Sequence, residues 1–157
     1  MVRTIIIAAA LAGAAGPVLA LEVTRSAEVK APPAAVWSTI GDFCGIAAWH
    51  PAIEKCVVVM KDGHPLRTLT LKGGGSIVET QKARDEAKKS YTYAIIEGVL
   101  PVQDYVSTIE VEPAAGGSKV VWSGTFKAKG VDDAKATQTI AGVYEAGLKG
   151  IAAKTAK

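Results

Sequence analysis

Residues 104–151 read DYVSTIEVEPAAGGSKVVWSGTFKAKGVDDAKATQTIAGVYEAGLKGI, and the period of the apolar residues changes part-way along. Asp104 to Glu112 and Ser118 to Ala128 are rich in β-branched and aromatic residues. They flank Pro113-Ala114-Ala115-Gly116-Gly117, so together they read as a hairpin. From Val131 onward the steps are three and four residues: Ala134, Thr137, Ile140, Ala141, Tyr144, Leu148 and Ile151. That period is one of a long amphipathic helix. Asp132 or Asp133 suits its N-terminus, where a carboxylate meets unpaired N–H groups. Gly142, Gly147 and Gly150 weaken the helix intrinsically and permit close approach to a sheet or a ligand.

Upstream, the chain is mostly strands. Leu21 to Lys30 alternates apolar and polar residues, as a half-buried strand does. Ala31-Pro32-Pro33 ends it, and Pro33 fits a first helical turn. A short helix follows through Ile40, is stopped at Gly41-Asp42, and gives way to a second short helix over Phe43 to Trp49. Strands are then expected over Ile53 to Met60, Leu66 to Leu71, Ser76 to Ala83 and Ser90 to Glu97, with turns at Asp62-Gly63 and Lys72-Gly73-Gly74-Gly75. One strand, two short helices, about six further strands and one long helix imply an α+β fold, a curved antiparallel sheet wrapped around the C-terminal helix. Two short helices are too few for repeated parallel βαβ units.

The first 20 residues read differently. Arg3 precedes an apolar run, Ile5-Ile6-Ile7 and then Ala8 to Ala15 interrupted only by Gly13, and Val18-Leu19-Ala20 offers small residues at the spacing of a signal-peptidase site. The run is too short to cross a bilayer, which needs roughly 20 residues. A signal peptide over 1–20 is expected, with one domain over 21–157 in the periplasm or outside the cell. No stable membrane insertion is expected after cleavage. The net charge of +3 falls by one with Arg3, and the charges are interspersed, so no basic stripe for nucleic acid exists. Export puts Cys44 and Cys56 in an oxidising compartment. They form one disulfide or remain two buried thiols, and with no CxxC pair redox catalysis is not expected.

The informative residues are polar ones inside strands. Arg67 shares a face with Leu69 and Leu71, and Glu79 shares one with Ile77 and Gln81. A charge among apolar neighbours is costly unless paired or wet. The two strands are hairpin neighbours, so the pair is either a surface ion pair or a polar anchor in the wall of an apolar cavity. Tyr93 with Tyr91, Tyr105 with Ser107, and Trp122 with Phe126 also fall on common strand faces. They serve as core or as cavity lining, and a buried tyrosine wants a partner for its hydroxyl. His50 and His64 complete neither a zinc site nor a catalytic triad, and Gly73-Gly74-Gly75 lacks the residues of a phosphate loop.

Ala31-Pro32-Pro33-Ala34-Ala35-Val36-Trp37, Gly41-Asp42-Phe43, Trp49-His50-Pro51-Ala52-Ile53 and Cys56 together resemble the opening of the SRPBCC superfamily, which unites START, polyketide cyclase/dehydrase and birch-pollen-allergen proteins. Glu97 to Val102 and Tyr105 to Ile109 are similar to the branch of lachrymatory-factor synthase and the abscisic acid receptors. The resemblance implies a helix-grip fold around a deep ligand cavity, with a small hydrophobic ligand and no cofactor or metal. It adds Trp49 to a ligand-binding set of Arg67, Glu79, Tyr93, Tyr105, Ser107, Trp122 and Phe126. If the chain is an enzyme, Arg67 holds a developing negative oxygen and Glu79 moves a proton. Glu54 stands where the hormone receptors have a lysine, and Lys72-Gly73-Gly74-Gly75 replaces their gate, so abscisic acid is not implied. Three functions follow: an exported binder of a hydrophobic molecule with a polar handle, a cofactor-free lyase, isomerase or cyclase, and an accessory protein of a periplasmic redox system.

Overall fold

The computed structural model describes residues 20–156, so the expected signal peptide lies, but for Ala20, outside the described residues. The elements run β1 (Leu21–Val29), α1 (Pro33–Ile40), α2 (Ile46–Trp49), β2 (Ile53–Lys61), β3 (His64–Leu71), β4 (Ser76–Asp85), β5 (Ser90–Gly98), β6 (Val102–Ala114), β7 (Gly117–Ala128) and α3 (Asp133–Thr155). The seven strands form one antiparallel sheet in the order β1-β7-β6-β5-β4-β3-β2. Only β1 leaves its sequence neighbours, because α1 and α2 carry the chain from one edge of the sheet to the other.

Local chemistry sets the boundaries. Pro33 opens α1, where its missing N–H costs nothing. The Asp42 carboxylate accepts from the N–H groups of Cys44 and Gly45 at 2.7 and 2.8 Å. That Asx-type turn holds residues 42–45, so α2 begins at Ile46 rather than at Phe43. Asp62 and Gly63 both have positive φ, 51° and 80°, as a two-residue hairpin turn between β2 and β3 requires. Asp132 caps α3 by accepting from the Lys135 N–H at 2.7 Å.

The buried stripe of α3 (Ala136, Ile140, Ala141, Tyr144, Gly147, Leu148, Ile151) lies against the concave face of the sheet. Gly147 shows how close the approach is. A Cβ there would come within 2.6 Å of Trp122 Cζ3 and 2.8 Å of His50 Cδ2. A disulfide joins Cys44, ahead of α2, to Cys56 on β2, with Cα atoms 5.5 Å apart. It anchors the crossover segment to the edge strand. Among the described residues no helix is long and apolar enough to cross a membrane.

Candidate functional site: a small cavity beside a buried ion pair

Strand register builds the site. Arg67 on β3 pairs directly with Glu79 on β4, and Tyr93 on β5 pairs with Ser107 on β6. Period-two alternation sends all four side chains to the concave face. Arg67 is fully enclosed and Glu79 is 4% exposed, so the pair is an interior one. Arg67 Nε donates to Glu79 Oε2 at 2.6 Å, and Nη1 donates to the Phe43 carbonyl. The guanidinium carbon lies 4.0 Å from the Phe43 ring centre and 5.1 Å from that of Tyr93, within cation–π range. Burial opposes the arginine charge, but Glu79 and the neighbouring tyrosines outweigh it and raise the Arg67 pKa.

A cavity of about 80 Å³ opens beside this pair. Glu79, Tyr93, Tyr105, Trp122 and His50 form its polar and aromatic wall, and aliphatic residues such as Ile77 and Ile95 complete it. Ligand pockets usually measure roughly 300–1,000 Å³. The deep cavity implied by the resemblance is therefore largely filled. Phe43, Trp49, Tyr93, Tyr105, Trp122 and Tyr144 occupy the interior between sheet and helices.

The expected site residues divide into two groups. Glu79, Tyr93, Tyr105 and Trp122 line the cavity. Arg67 sits behind Glu79, Ser107 lies deeper in the core, and Phe126 stacks against Tyr105 with ring centres 6.1 Å apart. Trp49 packs edge-on against Trp122 at 5.8 Å, and its buried Nε1 has no hydrogen-bond partner. Sequence reasoning left out the other lining residues, among them His50, Ile95, Leu100 and Val143. Ile95 was findable, since it continues the Tyr91–Tyr93 face of β5. Leu100 and Val143 come from a loop and from the flank of α3, where no pattern marks them.

The hydroxyl network has one consistent direction. Ser107 Oγ donates to the Ser123 carbonyl at 2.7 Å, because a carbonyl can only accept. Ser107 must then accept from the Tyr144 hydroxyl at 2.9 Å. Tyr144 must accept from Tyr105 at 2.7 Å, and Tyr105 from Tyr93 at 3.3 Å. The Trp122 indole N–H is shared between Tyr93 (3.1 Å) and Ser107 (3.0 Å). Burial raises all three tyrosine pKa values, that of Tyr144 to about 12, so the hydroxyls keep their protons. Gly124 on β7 makes room for the network, since a Cβ there would overlap the Tyr144 hydroxyl.

His50 is equally determined. The Ala52 N–H donates to Nδ1 at 3.2 Å and Nε2–H donates to the Val143 carbonyl at 3.0 Å. Both bonds require the neutral Nε2–H tautomer, and burial lowers the His50 pKa accordingly.

Residues 20–156 match the model of a family described as polyketide cyclase/dehydrase and lipid transport. The chain belongs to that family. Among curated relatives, MLP-like protein 423 of Arabidopsis thaliana is 32% identical over 119 residues, which is 68% of this chain and 77% of that one. An uncharacterised protein from Bacillus thuringiensis superposes with a TM-score of 0.81 at 31% identity, over 87% of this chain and all (100%) of that one. The protein XoxI from Bacillus cereus superposes with a TM-score of 0.79 at 32% identity, over 87% of this chain and 96% of that one. The seven-stranded curved sheet with its C-terminal helix is the helix-grip fold of START-like proteins. Family and fold together place the chain among hydrophobic-ligand binders and cyclase/dehydrase-type proteins.

Proposed function

We propose that this chain is an exported protein, periplasmic or secreted, that binds a small hydrophobic molecule carrying a polar handle in the cavity beside Glu79. The observation that carries this reading is the position of Glu79, a carboxylate on the wall of an otherwise apolar and aromatic cavity. The ligand is compact. An engineered cavity of about 150 Å³ is what benzene fills, and this one is about 80 Å³. Larger guests need the cavity to widen, and its lining includes Leu71, on the strand ahead of the three-glycine turn, and Leu100, on the β5–β6 loop.

A catalytic reading takes second place. It rests on Glu79 as an acid–base group, which has an oxygen free of the Arg67 bond. It asks Arg67 to hold a developing oxyanion, yet Arg67 is not among the lining residues and has no exposed surface.

Native mass spectrometry of protein purified from its own host tests the proposal. A bound small molecule, released when Glu79 is replaced by Leu together with Arg67→Met, supports it. Repeated isolation of empty protein that takes up no apolar probe overturns it. The same spectra give the mass of the mature chain: a start at Leu21 supports export, and an intact Met1 refutes it.

A further inference from the structure

We infer that the polar handle of the ligand is a neutral hydrogen-bond donor, a hydroxyl group on a compact alicyclic or aromatic body, because the side chains of the cavity wall offer only acceptors. The inference rests on the cavity being the ligand site and adds the chemistry of what it selects.

The wall has four hydrogen-bonding side chains and one ion-paired carboxylate among its lining residues, and each can be followed to its last proton. Tyr93 spends its proton on Tyr105, and Tyr105 spends its own on Tyr144. The Trp122 N–H is divided between Tyr93 and Ser107. His50 has its N–H on Val143 and its lone pair on Ala52, so it faces the cavity with neither. Glu79 uses Oε2 for Arg67. Among the described residues no donor reaches Oε1, which is not a sealed-off buried atom. What remains open to a guest is one carboxylate oxygen and unused lone pairs on the tyrosine oxygens.

A guest carbonyl or ether brings a further acceptor and finds no donor among the lining side chains, because the unpartnered Nη2 of Arg67 and Nε1 of Trp49 are sealed behind them. A guest carboxylate faces Glu79 as a like charge. An ammonium meets a carboxylate whose charge Arg67 already balances, and it becomes a second cation beside that arginine. A hydroxyl brings one proton to an unsatisfied carboxylate oxygen and leaves the pair neutral. Bonds to an ionised acceptor are stronger than neutral ones.

Three near-isosteric probes decide this: cyclopentanol, cyclopentanone and methylcyclopentane, titrated into the purified protein while NMR follows the Trp122 indole N–H and the methyl groups of Ile77 and Ile95. Cyclopentanol is expected to bind about ten-fold or more tighter than either of the others, as one charge-assisted hydrogen bond provides. Equal or tighter binding of cyclopentanone or methylcyclopentane overturns the inference and leaves the cavity reading standing. Failure of all three to shift those resonances overturns both. In Glu79→Gln the side-chain amide brings an N–H to the wall, and the preference is expected to narrow to within a few-fold. An unchanged preference in that variant removes Glu79 as the acceptor and overturns the inference. If the variant does not fold, the wild-type panel decides alone.

Discussion

Arg67 Nε donates to Glu79 Oε2 across 2.6 Å, with the arginine side chain wholly enclosed and that of the glutamate 6% exposed. Such a pair holds its place by mutual dependence. The arginine has lost its hydration and the glutamate most of its own, and each is compensated by the other. Arg67→Met alone leaves Glu79 charged beside an apolar wall and is expected to destabilise the fold by about 3–5 kcal/mol, as breaking a buried pair does. Arg67→Met combined with Glu79→Leu removes both charges and is expected to recover most of that loss. Urea unfolding of the two singles and the double measures the coupling. Additive effects mean that the two side chains do not depend on each other.

His50 gives the fold a pH dependence of known sign. Burial holds its folded pKa below the usual 6.5, with the nearby Arg67 charge acting in the same direction and the Val143 bond opposing. The unfolded chain therefore takes up the proton first as pH falls. Stability from this group is complete above about 6.5 and is lost as pH drops through the depressed folded value, with a slope of at most about 1.4 kcal/mol per pH unit. Wild type and His50→Gln are expected to differ in slope as pH falls below about 6.5, the variant being flatter. Parallel curves in that window show that the ring does not titrate on unfolding.

The Cys44–Cys56 disulfide closes a loop with a sequence separation of 12 between the crossover segment and an edge strand. Loop-closure reasoning assigns such a crosslink about 3 kcal/mol, chiefly through the unfolded chain. Cys44→Ser with Cys56→Ser is expected to lower thermal stability by about that amount while leaving the near-ultraviolet spectrum of the tryptophans unchanged. Thiol titration of denatured, unreduced protein from the host is expected to find no free thiols. Two free thiols, or a double variant as stable as wild type, contradicts this.

Different parts of the molecule were legible to different degrees. Alternation and hairpin adjacency brought Arg67 and Glu79 within reach of each other but left a surface pair and an interior one both open; the register and burial of the fold decide for the interior. The antiparallel pairing of β2 through β7 is what successive hairpins produce, whereas the place of β1 beside β7 has no local signal in the sequence. Tyr144 was harder. At helical spacing it reads as one more apolar residue, and its hydroxyl acquires meaning only when β6 and β7 bring Ser107 and the gap at Gly124 to it. His50 stood in a Trp49-His50-Pro51 turn whose partners, Val143 and Ala52, lie on two different segments. The size of the cavity was not legible, because it is the volume left over after aromatic side chains from five elements and the turn at Phe43 have packed. The start of α2 was misplaced because the Asp42 turn competes with helix for the N–H groups of Cys44 and Gly45.

Gly124 and Tyr144 offer the sharpest test of the hydroxyl chain. A methyl group at position 124 overlaps the Tyr144 hydroxyl and also presses on Ser107 Cβ at 3.2 Å. Gly124→Ala is therefore expected to cost about 1–3 kcal/mol, the usual penalty for overpacking. Tyr144→Phe removes the link between Tyr105 and Ser107, leaving a buried tyrosine proton without its acceptor, and is expected to cost about 1–3 kcal/mol by itself. The two losses do not add. With the Tyr144 oxygen gone, the methyl at 124 occupies the space that the hydroxyl vacated. The double variant is therefore expected to be less destabilised than the sum of the singles by at least about 0.5 kcal/mol, the scale of coupling between residues in contact. Chemical denaturation of all four proteins measures this term. A strictly additive cycle means that the strand and helix separate enough to accept the methyl, and that Gly124 is not what fits Tyr144 into the network.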